Sequence, residues 1–198
     1  MNQYFENNQH LKSNRKELSF RFWCFNYSFI SDVGVFSKDH VDTGTKVLLN
    51  QISEADMGEK ILDMGCGIGV IAIVLKKLFP ESIVQAVDVN PRALELTELN
   101  ARRNEVSIQT YASYCYENVE DKDFSTIVSN PPIRAGNVVV DQIYKGAYDH
   151  LRMQGSLWVV IRKKQGAPSA KRKIEAIFHN CEIVERQQGY YVLHAIKS

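Results

Sequence analysis

From residue 59 onward, short apolar runs alternate with stretches whose apolar positions recur every three or four residues. EKILDMG (59–65) reads as a buried strand and VIAIVLKKLF (70–79) as a helix. SIVQAVDV (82–89) reads as a second strand, and PRALELTELNARRN (91–104) as a helix that Pro91 opens at its first position. VSIQTYA (106–112) and FSTIVSN (124–130) follow as strands, and VVVDQIYKGAYDHLRM (138–153) has helical spacing despite its β-branched start. SLWVVIRKK (156–164) is a fifth strand and PSAKRKIEAIF (168–178) a helix; CEIVERQ (181–187) and YYVLHAI (190–196) close the chain. The last two are separated only by a QG turn, too short for a crossover helix, so they pair antiparallel.

Upstream, ELSFRFWCFNYSFISDVGVF (17–36) is aromatic and β-branched and reads as a hairpin turning near Asn26. DTGTKVLLNQIS (42–53) reads as an amphipathic helix capped near its start. Alternating strands and helices imply an α/β fold. The expected architecture is a Rossmann-like, doubly wound, seven-stranded and mostly parallel sheet with an antiparallel final strand, plus an N-terminal β-hairpin and helix. The expected division is a flexible 1–16 and one domain over 17–198, with 17–58 as extension and 59–198 as core.

Composition narrows the class. At 198 residues the chain can bury a core without staples. No apolar run nears the roughly 20 residues of a membrane span, and the polar N-terminus is no secretory signal, so a cytoplasmic protein is expected. Four cysteines (Cys24, Cys66, Cys115, Cys181) without CxxC spacing read as small buried hydrophobes rather than metal ligands. A net charge of +1 gives no global polyanion signal, yet Arg162, Lys163, Lys164, Lys171, Arg172 and Lys173 form a basic run. Such a run is either a solvated face or a phosphate grip.

The first core strand runs into LDMGCGIG (62–69), placing Asp63 ahead of Gly65, Gly67 and Gly69. Glycines there allow a tight turn and close ligand approach. The GxGxG spacing and the acid ahead of it disfavour a pyrophosphate, and with it a dehydrogenase, and suit a ligand carrying a cationic group. Asp88, ending the second strand in AVDVN, stands where an acid accepts ribose hydroxyls, although it also suits a helix cap. Together these point to S-adenosylmethionine, with Asp88 on the ribose and Asp63 toward the amino-acid end. Val89 is a candidate wall for the adenine and Ser113 a candidate contact; a loop serine equally forms turns.

The fourth strand ends in SNPPIRAG (129–136). Two prolines after a strand usually just end it. Here Asn130 would stand beside the methyl group, where its side-chain oxygen and the Pro131 carbonyl can each accept an N–H of a weakly nucleophilic amine. Pro131 and Pro132 would fix the chain direction.

These segments, in this order, resemble class I S-adenosylmethionine-dependent methyltransferases, and among them the small-domain branch related to the ribosomal RNA small-subunit guanine-N2 methyltransferase C family. SDVGVFSKDHVDTGT (31–45), VDVN (87–90), IRKKQGAPS (161–169) and GYYV (189–192) extend the resemblance over almost the whole chain. It implies methyl transfer to an exocyclic amine of ribosomal RNA. It also implies a loop at Phe36 closing the cleft, and Asp42 and Thr45 near the methionine end; Phe36 as core and Asp42 as a cap fit the sequence equally. Many amino-methyltransferases carry an aromatic after NPP, whereas this chain has Ile133 and then Arg134, an apolar wall and a cation able to stack or hold phosphate. Lys163, Lys164 and Arg172 would then grip RNA. Phe36, Tyr144 or Tyr148 would take an unstacked base, the two tyrosines being equally a packed helix stripe. DNA adenine N6, a protein glutamine, or noncatalytic RNA binding on the same fold are the alternatives.

Overall fold

The computed structural model describes residues 12–198. Of the expected flexible N-terminus, residues 1–11 lie outside the described residues; beyond them, Ser13 Oγ and Asn14 N donate to Asp32.

The extension comprises β1 (Lys16–Phe22), β2 (Phe25–Ser31) and α1 (Thr43–Ile52). The hairpin turns at Trp23 and Cys24, with Phe22 opposite Phe25, so Asn26 lies within β2 opposite Arg21 rather than in the turn. This register sets Phe20 across from Tyr27, their rings 6.1 Å apart. A slip of one residue would move every such ring to the other face. Trp23 adopts φ +53° to close the turn.

The core follows as β3 (Lys60–Met64), α2 (Val70–Leu78), β4 (Ile83–Asp88), α3 (Pro91–Arg103), β5 (Gln109–Ala112) and β6 (Phe124–Ser129). It continues through α4 (Asn137–His150), β7 (Leu151–Arg162), α5 (Ala167–Phe178), β8 (Glu182–Gln187) and β9 (Tyr190–Ile196). Seven strands pair in the order β5-β4-β3-β6-β7-β9-β8, parallel except at β9, which runs antiparallel to β7 and β8. Period-two alternation sends Ile61, Val128 and Val160 into a cluster with α1, α2 and α3, and Leu62, Ile127 and Val159 into a second with α4 and α5. The doubly wound, three-layer arrangement is therefore the one the alternation implied.

One boundary moves. Helix α4 ends at His150, and 151–153, read as helical, begin β7. Leu151 pairs with Phe124, after which the register jumps to Thr126 opposite Ser156. The bulge between contains Gln154 at φ +61° and Gly155, where a Cβ would sit 2.9 Å from the Phe124 carbonyl oxygen. The cysteines also divide: Cys66 and Cys181 are buried, Cys115 half-buried and Cys24 exposed in the hairpin turn. No helix among the described residues is long and apolar enough to cross a membrane.

Candidate active site

Strand β3 has β4 on one side and β6 on the other, with the chain winding outward in both directions. Such a switch point leaves a crevice at the carboxyl ends of the strands. A cavity of about 720 Å³ lies there, lined among others by Gly65, Gly67, Asp88, Val89, Asn130 and Pro131.

The three glycines do different work. Gly65 and Gly67 have positive φ, and a Cβ on either would meet nothing within 4 Å, so both present bare backbone to the cavity. Gly69 also has positive φ, but a Cβ there would sit 2.7 Å from Thr97 Cγ2; its smallness lets α2 and α3 approach. Gly69 does not line the cavity.

The two acids also part company. Asp88 Oδ2 accepts from Gly67 N (2.9 Å) and Oδ1 from Asn90 N (2.9 Å), fixing a carboxylate on the cavity wall beside the glycine loop. Burial pushes its carboxyl above the usual range. The cap of α3 is Asn90, whose Oδ1 accepts from Arg92 N, so Asp88 is not the capping residue. Asp63 is fully buried behind the loop and does not line the cavity. Its Oδ2 accepts from Ala72 N in the first turn of α2 (3.0 Å), its Oδ1 has no partner among the described residues, and burial pushes its carboxyl up to about 7.

Beyond β6, Asn130 is held from one side. Its Nδ2 donates to Asp42 Oδ2 and to Thr45 Oγ1, both at 3.1 Å. A carboxylate only accepts, so Asp42 fixes which end of the amide faces it. Asp42 meanwhile caps α1, accepting from Thr45 N at 3.1 Å, so it is both cap and site residue. Asn130 Oδ1 has no partner among the described residues. The Pro131 carbonyl accepts from Ile133 N at 2.8 Å and the Pro132 carbonyl from Ala135 N at 2.9 Å. The expected second acceptor, Pro131 O, thus already accepts one hydrogen bond within its own turn and keeps one lone pair, whereas the Asn130 oxygen keeps both.

Other expected residues scatter. Ser113 lines the cavity, but its hydroxyl donates to Cys115 O (2.7 Å) and accepts from Asn118 N (3.1 Å), which makes it a turn former. Phe36 is 48% exposed and lines the cavity from the loop over 33–42, so it is not core. Ile133 and Arg134 line it too. Lys163, Lys164 and Arg172 do not: the first two sit on the exposed turn after β7 and the third on α5. Tyr144 is fully buried, and Tyr148 packs edge-on against Phe178, so neither reaches the cavity.

Three contributors escaped sequence reasoning. Asn100 of α3 and its C-cap Asn104 hydrogen-bond the backbone of Ile30 and Ser28 in β2, and Asn100 Nδ2 also reaches Ile68 O behind the glycine loop. With Thr97 they form a polar stripe at helical spacing on a buried face, a signal present in the sequence. Asn90 Nδ2 donates to Gly34 O, tying the 33–42 loop beside Asp88.

A doubly wound sheet with glycine loop, acid and NPP turn around one cavity defines a Rossmann-like methyltransferase by class. More particularly, the chain belongs to the methyltransferase small-domain family, whose model matches residues 26–194. It is 41% identical to the uncharacterized protein YbxB of Bacillus subtilis (strain 168), over 98% of each chain. It is 35% identical to ribosomal RNA small subunit methyltransferase C of Acinetobacter baylyi, over 82% of this chain and 48% of that one. The T. thermophilus 16S rRNA N2 methyltransferase RsmC, solved with AdoMet and guanosine, superposes with a TM-score of 0.84 at 25% identity, over 95% of this chain and 52% of that one. The chain therefore spans about half the length of these rRNA methyltransferases. A methyltransferase from Pyrococcus furiosus shares the fold, with a TM-score of 0.68 at 19% identity, over 84% of this chain and 90% of that one.

Proposed function

We propose that this chain transfers a methyl group from S-adenosylmethionine to an exocyclic amino group of a nucleobase, guanine N2 in ribosomal RNA. The observation that carries the reading is the amide of Asn130. With Nδ2 committed to Asp42 and Thr45, its Oδ1 is the acceptor left for a substrate N–H. The likeness to ribosomal RNA methyltransferases supports the substrate class.

When bound, S-adenosylmethionine supplies a methyl group activated by a sulfonium sulfur. The residues present suit it: bare backbone at Gly65 and Gly67, a wall at Val89, and the Asp88 carboxylate for the ribose hydroxyls. Asp63 would act on the cationic amino-acid end only from behind the loop, by charge. The unmet Asp63 Oδ1 fits that role, since a nearby cation would favour its ionised form.

A guanine amino nitrogen is a poor nucleophile because its lone pair is shared with the ring. Accepting one N–H at Asn130 Oδ1 orients the nitrogen and raises its electron density, and Asp42 and Thr45 keep that oxygen in place. Preorganised acceptors of this kind lower a barrier because nothing reorients during reaction. The chain needs no strong base: as the N–C bond forms and the methyl–sulfur bond breaks, the positive charge passes to the nitrogen, which then loses its surplus proton to water. Phe36 and its loop would cover the cavity, and Arg134, Lys163, Lys164 and Arg172 would hold RNA phosphates. A ribosomal RNA substrate would have the chain work in the cytoplasm.

Replacing Asn130 by Ala tests this. Turnover on unmodified ribosomal RNA should fall about 10²–10³-fold, as for loss of one preorganised hydrogen-bonding group, while S-adenosylmethionine affinity stays within threefold. Asp42→Asn, which retains a capping side chain but loses the obligate acceptor, should give a smaller loss in the same step. Full turnover by Asn130→Ala would overturn the reading.

A further inference from the structure

An unstacked purine needs a planar partner, and the residue after NPP here is Ile133, which leans partly on the core cluster beneath α4. The structure offers a plane from elsewhere. Arg162 ends β7 and Tyr190 begins β9, directly opposite each other in the antiparallel register. The Arg162 guanidinium carbon lies 5.7 Å from the centre of the Tyr190 ring. Lys163 N donates to Gly189 O at 2.8 Å, tying the β8–β9 turn to the end of β7. Both Arg162 and Tyr190 line the cavity that holds Asn130 and Ile133.

The pair is also close to the reactive amide. A Cβ on Gly44 would lie 2.7 Å from Tyr190 Cε1 and 2.9 Å from Asp42 Oδ2. That same Asp42 oxygen receives the Asn130 N–H. The Tyr190 ring edge and the Asp42 carboxylate therefore flank a space that only glycine leaves open, and that carboxylate in turn holds the Asn130 amide. Burial, with the Asp42 charge second, pushes the Tyr190 phenol above its usual range, so the ring stays neutral.

We propose that Arg162 and Tyr190 together form the planar surface that holds the target base beside Asn130. They would supply from the closing hairpin what an aromatic after NPP supplies in related amino-methyltransferases. Guanidinium planes and aromatic rings are the side-chain surfaces on which unstacked bases stack. The inference rests on the amino-methyltransferase reading above.

The test is steady-state methylation of unmodified small-subunit ribosomal RNA by wild type, Tyr190→Phe, Tyr190→Leu, Arg162→Lys and Arg162→Met, with S-adenosylmethionine affinity measured calorimetrically on each. Tyr190→Leu should raise the KM for RNA about tenfold, with kcat and cofactor affinity changing less than threefold. Tyr190→Phe, which keeps the ring, should recover most of that loss. Arg162→Lys, which keeps the charge without the plane, should raise KM several-fold. If Tyr190→Leu also loses cofactor binding through damaged packing, Arg162→Lys decides, because Arg162 is exposed. Wild-type KM in both Tyr190→Leu and Arg162→Lys overturns the inference. So does a loss confined to Arg162→Met, which would make Arg162 a phosphate contact. A wild-type chain that methylates no RNA removes the amino-methyltransferase reading and this inference with it; an active wild type with unaltered variants removes the inference alone.

Discussion

Asp63 and Asp88 lie on adjacent strands near one glycine loop, yet only one faces the cavity. Their difference is partly a matter of position along the strand. Asp88 is the last residue of β4, where a side chain reaches the rim, whereas Met64 still follows Asp63 within β3. The motif made both acids visible in the sequence, but the depth of Asp63 depends on how far β3 continues and on the Ala72 N–H it meets. The same limit hid the bond that Pro131 O accepts from Ile133 N, since a proline turn announces its presence and not which carbonyl it engages. Asp63 carries a consequence for stability. Its folded carboxyl is pushed up to about 7 by burial from an ordinary value of 3.8, so the folded chain binds the proton more tightly than the unfolded chain. Between those values Asp63 holds more of its proton in the folded state, and its contribution to stability falls as pH rises from about 4 to about 7, then levels off. Other carboxyls, such as Asp32 and Asp121, are shifted downward and act in the opposite sense. The comparison is therefore with Asp63→Asn, which does not titrate. The difference in Tm between wild type and Asp63→Asn should drift against wild type across that window; a difference constant with pH would contradict the burial argument.

Elements were legible wherever periodicity decided them. The alternation along β3, β6 and β7 gave the two faces of the sheet, and the QG turn gave the antiparallel pair β8 and β9. The hairpin register was not legible, because Asn26 is a good turn residue by type and loses to cross-strand pairing of Phe20 with Tyr27. Nor was the joint between hairpin and core. A two-stranded hairpin is marginal alone, and here α3 completes it. Asn100 Oδ1 accepts from Ile30 N at 2.6 Å, while its Nδ2 donates to Ile30 O at 3.0 Å and to Ile68 O at 2.9 Å. One buried side chain thereby joins the outer strand to the glycine loop. Leaving buried backbone groups unmet costs about 1–3 kcal/mol each. Asn100→Ala should thus lower stability by at least about 2 kcal/mol on the same scale, read as an earlier urea midpoint, whereas Arg102→Ala on the exposed face should stay within about 0.5 kcal/mol. Equal midpoints for the two variants would mean that the hairpin is held by its apolar face alone.

Across the whole molecule, charge is distributed rather than massed. Of the basic run, Lys171 pairs with Glu175 at 2.8 Å and Lys173 with Asp141 at 2.6 Å, and Arg162 lies over Tyr190. The run therefore divides into two paired lysines on α5 with exposed Arg172 between them, and an exposed turn at Lys163 and Lys164. Sequence spacing could not separate them, because each acidic partner depends on helical phase or on the packing of α4 against α5. With a net charge of +1, RNA binding would come from local placement around the cavity. The chain spans about half the length of the rRNA methyltransferases it matches. The most direct measurement supplies tritiated S-adenosylmethionine and the purified chain to small-subunit ribosomal RNA, DNA and protein from cells lacking the gene, then digests each and identifies the labelled product. Label is expected in ribosomal RNA, recovered as N2-methylguanosine and cut about 10²–10³-fold with Asn130→Ala. Label in DNA or protein, or cofactor binding with no label in any of the three, would contradict the proposed function.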